Sequence, residues 1–152
     1  MNFWLFKTEP EEFSIDDLAK KTTKTEHWDG VRNYQARNFM RDEMRIGDQA
    51  FFYHSNCEEP GIVGIVTVAS KAYPDHTAFD KKDKHFDPKS DPDNPRWMMV
   101  DVKMARKLKR TISLKELKAK SALKNMRLVQ RGNRLSVMPV EKKHWDAILK
   151  IE

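Results

Sequence analysis

Trp28-Asp29-Gly30-Val31-Arg32-Asn33-Tyr34-Gln35-Ala36-Arg37-Asn38 places an indole, a phenol, two guanidiniums, three carboxamides and a glycine within eleven residues. A segment that only filled a core would carry aliphatics here. One that only kept the chain soluble would not carry Trp28 and Tyr34. Asp29-Gly30 is a turn signal. From Asn33 the pattern turns helical, with Ala36, Phe39, Met40 and Met44 on an apolar face. Asn33 is the expected N-cap, because its side chain can accept a hydrogen bond from a free N–H of the first turn. Asn33, Arg37 and Arg41 then share one helix face, and Tyr34 and Asn38 the adjacent one. Fork-shaped donors, amides and aromatic faces beside free backbone N–H groups are the means to grip a flat polar ring, or a phosphate attached to one. The same residues also admit a structural reading, with Arg32 and Arg37 in ion pairs and Trp28 as a core anchor.

On either side of this segment the pattern alternates between short strands and short helices. Phe3-Trp4-Leu5-Phe6 has bulky groups on both faces and reads as a central strand. Ser14 with Asp17 resembles a capping box opening a helix through Lys20. Thr22 to Glu26 reads as polar loop. Gln49 to His54 is a strand, and so is Gly61 to Val68, where the glycines point to bulging or a close backbone approach. Phe79 to Pro95, dense in Asp, Lys and Pro, is expected to be an exposed, mobile loop. Arg96 to Met104 reads as a strand with Asp101 and Lys103 outward. Ser113 with Glu116 caps a basic helix, and Ala122 to Met126 reads as a further helical turn. Arg131-Gly132-Asn133 is a turn and Arg134 to Val137 a strand. Glu141 to Ile151 closes the chain with Trp145, Ile148 and Leu149 as a buried stripe. Five or six strands in uneven order with three or four short helices predict an α+β mixed barrel in one domain spanning residues 1–152.

The charge is unevenly spread. Residues 1–60 carry a net −4, residues 61–102 a net −1, and residues 103–134 a net +11 from twelve basic residues and Glu116 alone. A face that is merely soluble interleaves both signs, so this segment points to a polyanion partner. The N-terminus lacks a cationic start and a long apolar run, and no stretch approaches membrane-spanning length. The single Cys57 excludes an internal disulfide framework and suits a reducing compartment. The expectation is a cytoplasmic monomer without a targeting extension, or a nuclear protein if the source is eukaryotic.

Signatures of chemistry are weak. There is no Gly-x-Ser-x-Gly, and Cys57 sits beside Glu58 and Glu59, which disfavour its thiolate. His54-x-x-Cys57 is half a metal site at most, so no metal or other cofactor is expected. Tyr53-His54-Ser55 at a strand end offers three hydrogen-bonding groups in a row, equally readable as ligand contacts or as a satisfied sheet edge. Trp4, Trp28 and Trp97 lie at strand ends or turns, where an indole can stack on a base.

These residues together resemble a known family. Phe3 to Pro10, Trp28 to Asn38, Gly47-Asp48, Phe52 to Ser55, Gly61 to Gly64, Trp97-x-x-Val100-Asp101-Val102 and Arg134-Leu135-Ser136-Val137-x-Pro139 are similar to the EVE domain, of the thymocyte nuclear protein family within the PUA-like superfamily. The resemblance covers nearly the whole chain. It implies a PUA-like mixed β-barrel of five or six strands with flanking short helices. It also implies recognition, without catalysis, of a modified nucleobase in DNA or RNA, modified cytosine first, in an aromatic-lined pocket. Carried onto this sequence, the pocket uses Trp4, Lys7, Trp28, Arg32, Asn33, Tyr34, Arg37, Asn38, Tyr53, His54, Ser55, Trp97, Arg134 and Ser136. Within that set we expect Trp28 or Trp97 to stack on an extruded base. Asn33, Asn38 and Ser55 would read its edge, and Arg32, Arg37 and Lys7 would hold flanking phosphates. Lys118, Lys120, Lys124, Arg127 and Arg131 supply the wider contact with the nucleic-acid backbone. The rival expectations are an ASCH-like nuclease using Lys7, Tyr53, His54 and Arg37, and a protein-interaction module with a vestigial pocket.

Overall fold

The computed structural model describes all 152 residues. The chain opens with β1 (Phe3–Thr8), whose Trp4, Leu5 and Phe6 are all buried. Side chains buried on both faces require the sheet to be covered on both sides there. β1 pairs in parallel with β3 (Gln49–His54), Phe3 facing Gln49, and antiparallel with β8 (Val137–Val140), Phe3 facing Val140. β3 continues antiparallel into β4 (Gly61–Val68), β4 into β7 (Asp101–Ser113), and β7 into the edge strand β2 (Thr25–His27). The result is one six-stranded, curled mixed sheet in the order β2-β7-β4-β3-β1-β8. A separate two-stranded ribbon joins β5 (Tyr73–Pro74) to β6 (Met98–Met99). No helix is long and apolar enough to cross a membrane.

Two glycines let β4 curl. A Cβ on Gly61 would lie 2.4 Å from the Ile112 carbonyl oxygen, and one on Gly64 would lie 2.7 Å from the Ile15 side chain. The ladder between β4 and β7 shifts register at both Ile62/Gly64 and Ile65/Val66, and such bulges bend and twist a sheet. The expected close approach at these glycines is therefore what brings β7 and α1 (Ile15–Lys20) onto the strand.

Several local expectations hold. Ser14 and Asp17 form the reciprocal capping box of α1. Asn33 caps α2 (Tyr34–Asn38) by accepting from the Ala36 N–H at 3.0 Å. Ser113 caps α3 (Leu114–Ala119), but its box is half made, because Glu116 turns its carboxylate to Arg110. α4 (Lys142–Ile151) buries Trp145 and Ile148 as expected. Its third buried residue is His144 rather than Leu149, which is 36% exposed.

Four expectations need correction. Thr25–His27 is an edge strand rather than loop, since its polar residues need only one paired edge and a wet face. The strand expected to end at Met104 runs thirteen residues to Ser113, with β4 pairing most of its length. Its high charge hid it: the burial of Val102, Leu108 and Ile112 is too widely spaced to show a two-residue period. The last strand starts at Val137 rather than Arg134. The segment 79–95 is not free but tied down, Asp87 donating its N–H to the Ala78 carbonyl at 2.9 Å and accepting from the Trp97 indole at 2.6 Å.

Candidate functional site

Turn chemistry at Trp28–Val31 shapes a cavity of about 680 Å³. Its walls are the end of β1 from Lys7 to Glu9, Glu12 and Phe13 ahead of α1, the segment Glu26–Val31, the loop Lys82–His85, and Ser136 before β8. Trp28 is the aromatic wall. Its N–H donates to the Val100 carbonyl at 2.7 Å, and its ring packs on Phe6, Phe13 and Phe52 at centroid distances of 5.0, 6.3 and 5.5 Å. Only 7% of Trp28 is exposed, so the ring is fixed before anything enters.

Behind this wall lies a buried polar clamp. The Asp75 carboxylate accepts from the Gly30 N–H at 2.8 Å, Arg32 Nη1 at 3.0 Å, the Thr77 N–H at 2.9 Å and the Thr77 hydroxyl at 2.5 Å. Burial alone would push its pKa up, but the Thr77 hydroxyl, the Gly30 N–H and the Arg32 guanidinium outweigh it and hold the carboxyl below the usual carboxylate range. Arg32 also donates to the His85 carbonyl, from Nε at 3.1 Å and from Nη2 at 2.8 Å. One guanidinium thus fastens the loop Lys82–His85 to the turn after Trp28. Gly30 is needed there, because its φ is 78° and a Cβ would meet the His85 ring at 2.5 Å.

The expected site residues separate into three groups. Lys7, Trp28 and Ser136 line the cavity. Lys7 is pushed down in pKa by burial, and its Nζ lies 5.7 Å from the Tyr53 ring centroid. A second group does structural work. Trp4 is buried with its indole N–H on Asp48 at 3.0 Å. Asn33 is spent on the helix cap, and Arg32 on Asp75 and His85. Asn38 accepts from Arg37 at 2.8 Å, and Arg37 also donates to the Arg96 carbonyl at 2.9 Å. Tyr53 is buried and pushed up to about 12, by burial first and then by Cys57. His54 Nε2 accepts from the Ile15 N–H at 3.1 Å, and Ser55 donates its N–H to Thr8. Tyr34 and Trp97 form the third group, stacked on each other at 4.9 Å outside the cavity. Tyr34 is 52% exposed there, with the Arg37 guanidinium 4.9 Å from its ring centroid.

Sequence reading missed Phe13, Glu26, His27 and the loop Lys82–His85 as cavity residues. Asp29 fell within the expected stretch Trp28–Asn38 but with no role beyond half of a turn, and the loop's role depends on Asp75, 45 residues from the glycine it holds. Lys118, Lys120, Lys124, Arg127 and Arg131 are all exposed. They lie on α3 and the two short turns that follow it, and none is ion-paired; Arg127 lies 5.6 Å from the Phe39 ring centroid. Arg134 is also exposed, two residues before Ser136. The basic segment therefore ends at the cavity's rim.

Residues 2–151 match the EVE domain over its family description. The chain belongs to the EVE domain family. Thymocyte nuclear protein 1 of Rattus norvegicus is 50% identical over 168 residues, covering 99% of this chain and 74% of the rat protein. The human THYN1 protein, solved in complex with 5-methylcytosine-containing DNA, superposes with a TM-score of 0.94 at 48% identity, over 99% of this chain and 97% of that one. The Zymomonas mobilis ASCH protein, at 10% identity and a TM-score of 0.57, shares the fold alone, over 99% of each chain. The six-stranded mixed sheet with short helices is thus the EVE, PUA-like architecture that the sequence motifs implied.

Proposed function

We propose that this EVE protein binds nucleic acid carrying a modified pyrimidine, with 5-methylcytosine as the first candidate, and does so without catalysis. The observation that carries the proposal is the cavity walled by Trp28, a preset aromatic face in a concave space large enough for an extruded nucleotide. Relatedness to a human protein complexed with 5-methylcytosine DNA supports the same reading. The base stacks on Trp28 rather than on Trp97, whose ring Tyr34 covers outside the cavity. The phosphates are held by the unpaired cations of residues 103–134 rather than by Arg32 or Arg37, whose donors are already engaged. Extrusion costs a few kcal/mol, and stacking returns roughly 1–3 kcal/mol of it. A buried methyl adds about 1 kcal/mol, enough to decide detectable binding on so narrow a margin.

The nuclease reading is weakened by where its residues stand. Of Lys7, Tyr53, His54 and Arg37, only Lys7 lines the cavity. His54 Nε2 is occupied by a backbone N–H and Arg37 by two oxygens. Fluorescence anisotropy with oligonucleotides differing only in cytosine or 5-methylcytosine tests the binder, alongside nucleoside and fragment analysis with and without divalent metal. We expect tighter binding of the methylated strand and no product. A product that disappears in Lys7→Met would make the protein an enzyme.

A further inference from the structure

A cavity that measured only the methyl group would fail in DNA, because every thymine carries the same methyl on C5. The base must also be told apart by its polar edge. Cytosine offers a 4-amino donor with acceptors at N3 and O2, whereas thymine offers acceptors at O4 and O2 around an N3–H donor. The cavity contains five carboxylates, and four of them are committed within the protein. Glu9 accepts from Asn56 at 3.1 Å, Glu12 pairs with Lys84, Glu26 pairs with Lys21 at 2.9 Å, and Asp83 accepts from the His85 N–H at 2.8 Å. Asp29 alone has no hydrogen bond or ion pair, and it directly follows the aromatic wall Trp28. Among the lysines there, Lys7 and Lys82 have no carboxylate partner, and of the two Lys82 is exposed while Lys7 is half-buried. An unpaired anion and an unpaired, partly desolvated cation facing one cavity are costly unless a ligand completes both.

We propose that Asp29 and Lys7 read the pairing edge of the seated base, Asp29 accepting from its 4-amino group and Lys7 donating to N3 and O2, so that the site selects 4-aminopyrimidines and rejects thymine. This rests on the base-binding reading above. A carboxylate facing thymine O4 sets acceptor against acceptor, and the methyl that thymine shares cannot compensate.

The test uses single-stranded oligonucleotides with one central 5-methylcytosine, cytosine, thymine or 5-methyl-2-pyrimidinone, which keeps ring and methyl but lacks the amino group. Anisotropy titrations of the wild-type protein should favour 5-methylcytosine over thymine and over the pyrimidinone by at least about fivefold, the lower end of a good hydrogen-bonded base contact. In Asp29→Asn the amide can turn its donor to O4, so the ratio to thymine should fall to within about twofold. Its melting temperature should stay unchanged, because Asp29 makes no hydrogen bond inside the protein. Retention of the ratio in Asp29→Asn overturns the assignment. So does equal wild-type binding of 5-methylcytosine and the pyrimidinone, which needs no variant to fold. If 5-methylcytosine binds better than cytosine but no better than thymine, the edge reading fails alone. If it binds no better than cytosine, the modified-base reading fails; the edge reading then stands if both cytosines outbind thymine and falls if they do not.

Discussion

The cavity and the basic segment carry opposite fields. Three lysines and five carboxylates line the cavity. Residues 103–134 hold twelve cations against Glu116, and only Arg106, Lys107 and Arg110 of the twelve are ion-paired. A phosphate is drawn to the second region and repelled from the first. A neutral ring with a donor edge has no such conflict in an acidic cavity. The arrangement divides the labour found across nucleic-acid readers, in which phosphate contacts position and base contacts specify. The two regions also differ in what holds them. The cavity wall is part of the core, whereas the basic side chains project from β7, from α3 and from the turns that follow it.

The sharpest way to break this contrast is at Trp28. Trp28→Ala should cost about 3–5 kcal/mol in chemical denaturation, as for other buried tryptophans, because the ring is packed by Phe6, Phe13 and Phe52. A loss below about 1 kcal/mol would show a free surface ring instead of a core wall. Asp75→Asn should follow at roughly 2–3 kcal/mol, since the Arg32 guanidinium loses its buried counter-charge and Gly30 its acceptor. It should also loosen the loop Lys82–His85, read as faster backbone hydrogen exchange there.

Reversing Lys118, Lys120 and Lys124 together to Glu probes the other region. Duplex affinity at physiological salt should fall by about tenfold or more, with the log–log salt slope flattened by roughly 0.9 for each lost phosphate contact. The preference for 5-methylcytosine over cytosine should survive. A slope identical to wild type would make this a solvated face. The smallest effect concerns pH. Burial holds His54 below its ordinary 6.5, and its neutral Nε2 accepts the Ile15 N–H. The folded protein therefore takes this proton at lower pH than the unfolded chain. The contribution is whole above about pH 6.5 and is lost as pH falls through the lower folded value. Urea midpoints at about pH 7.5 and about pH 5.5 should show a decline that His54→Gln reduces. The basic segment contains no histidine, so the triple variant should keep the wild-type decline.

What the sequence disclosed was mostly local. Caps at Ser14, Asn33 and Ser113 were legible because each needs only a residue three positions on. β1, β3 and β4 were legible because dense apolar runs buried on both faces look alike wherever they pair. β7 was not, since its charged residues obscure a buried side spaced by bulges. Trp28 could be recognised as the organising ring. The division between cavity and clamp could not, because Arg32, Asn33 and Asp29 lie within five residues and have unrelated work. Asn33 is engaged by its own helix, but only the distant Asp75 and His85 show that Arg32 is engaged while Asp29 is left facing the cavity.

The seat of β1 also has a cost in time. Phe6 faces Val137 on one side and Phe52 on the other, so this interior strand is completed by a partner translated long after it. At 5–20 residues per second the strand waits on the order of ten seconds for that edge. During synthesis its apolar face must be shielded by β3 or by helper proteins, and folding should end with the arrival of β8. Such long-range closure makes for slow folding. A ribosome-stalled chain lacking residues 137–152 should accordingly remain sensitive to protease at Phe3–Phe6.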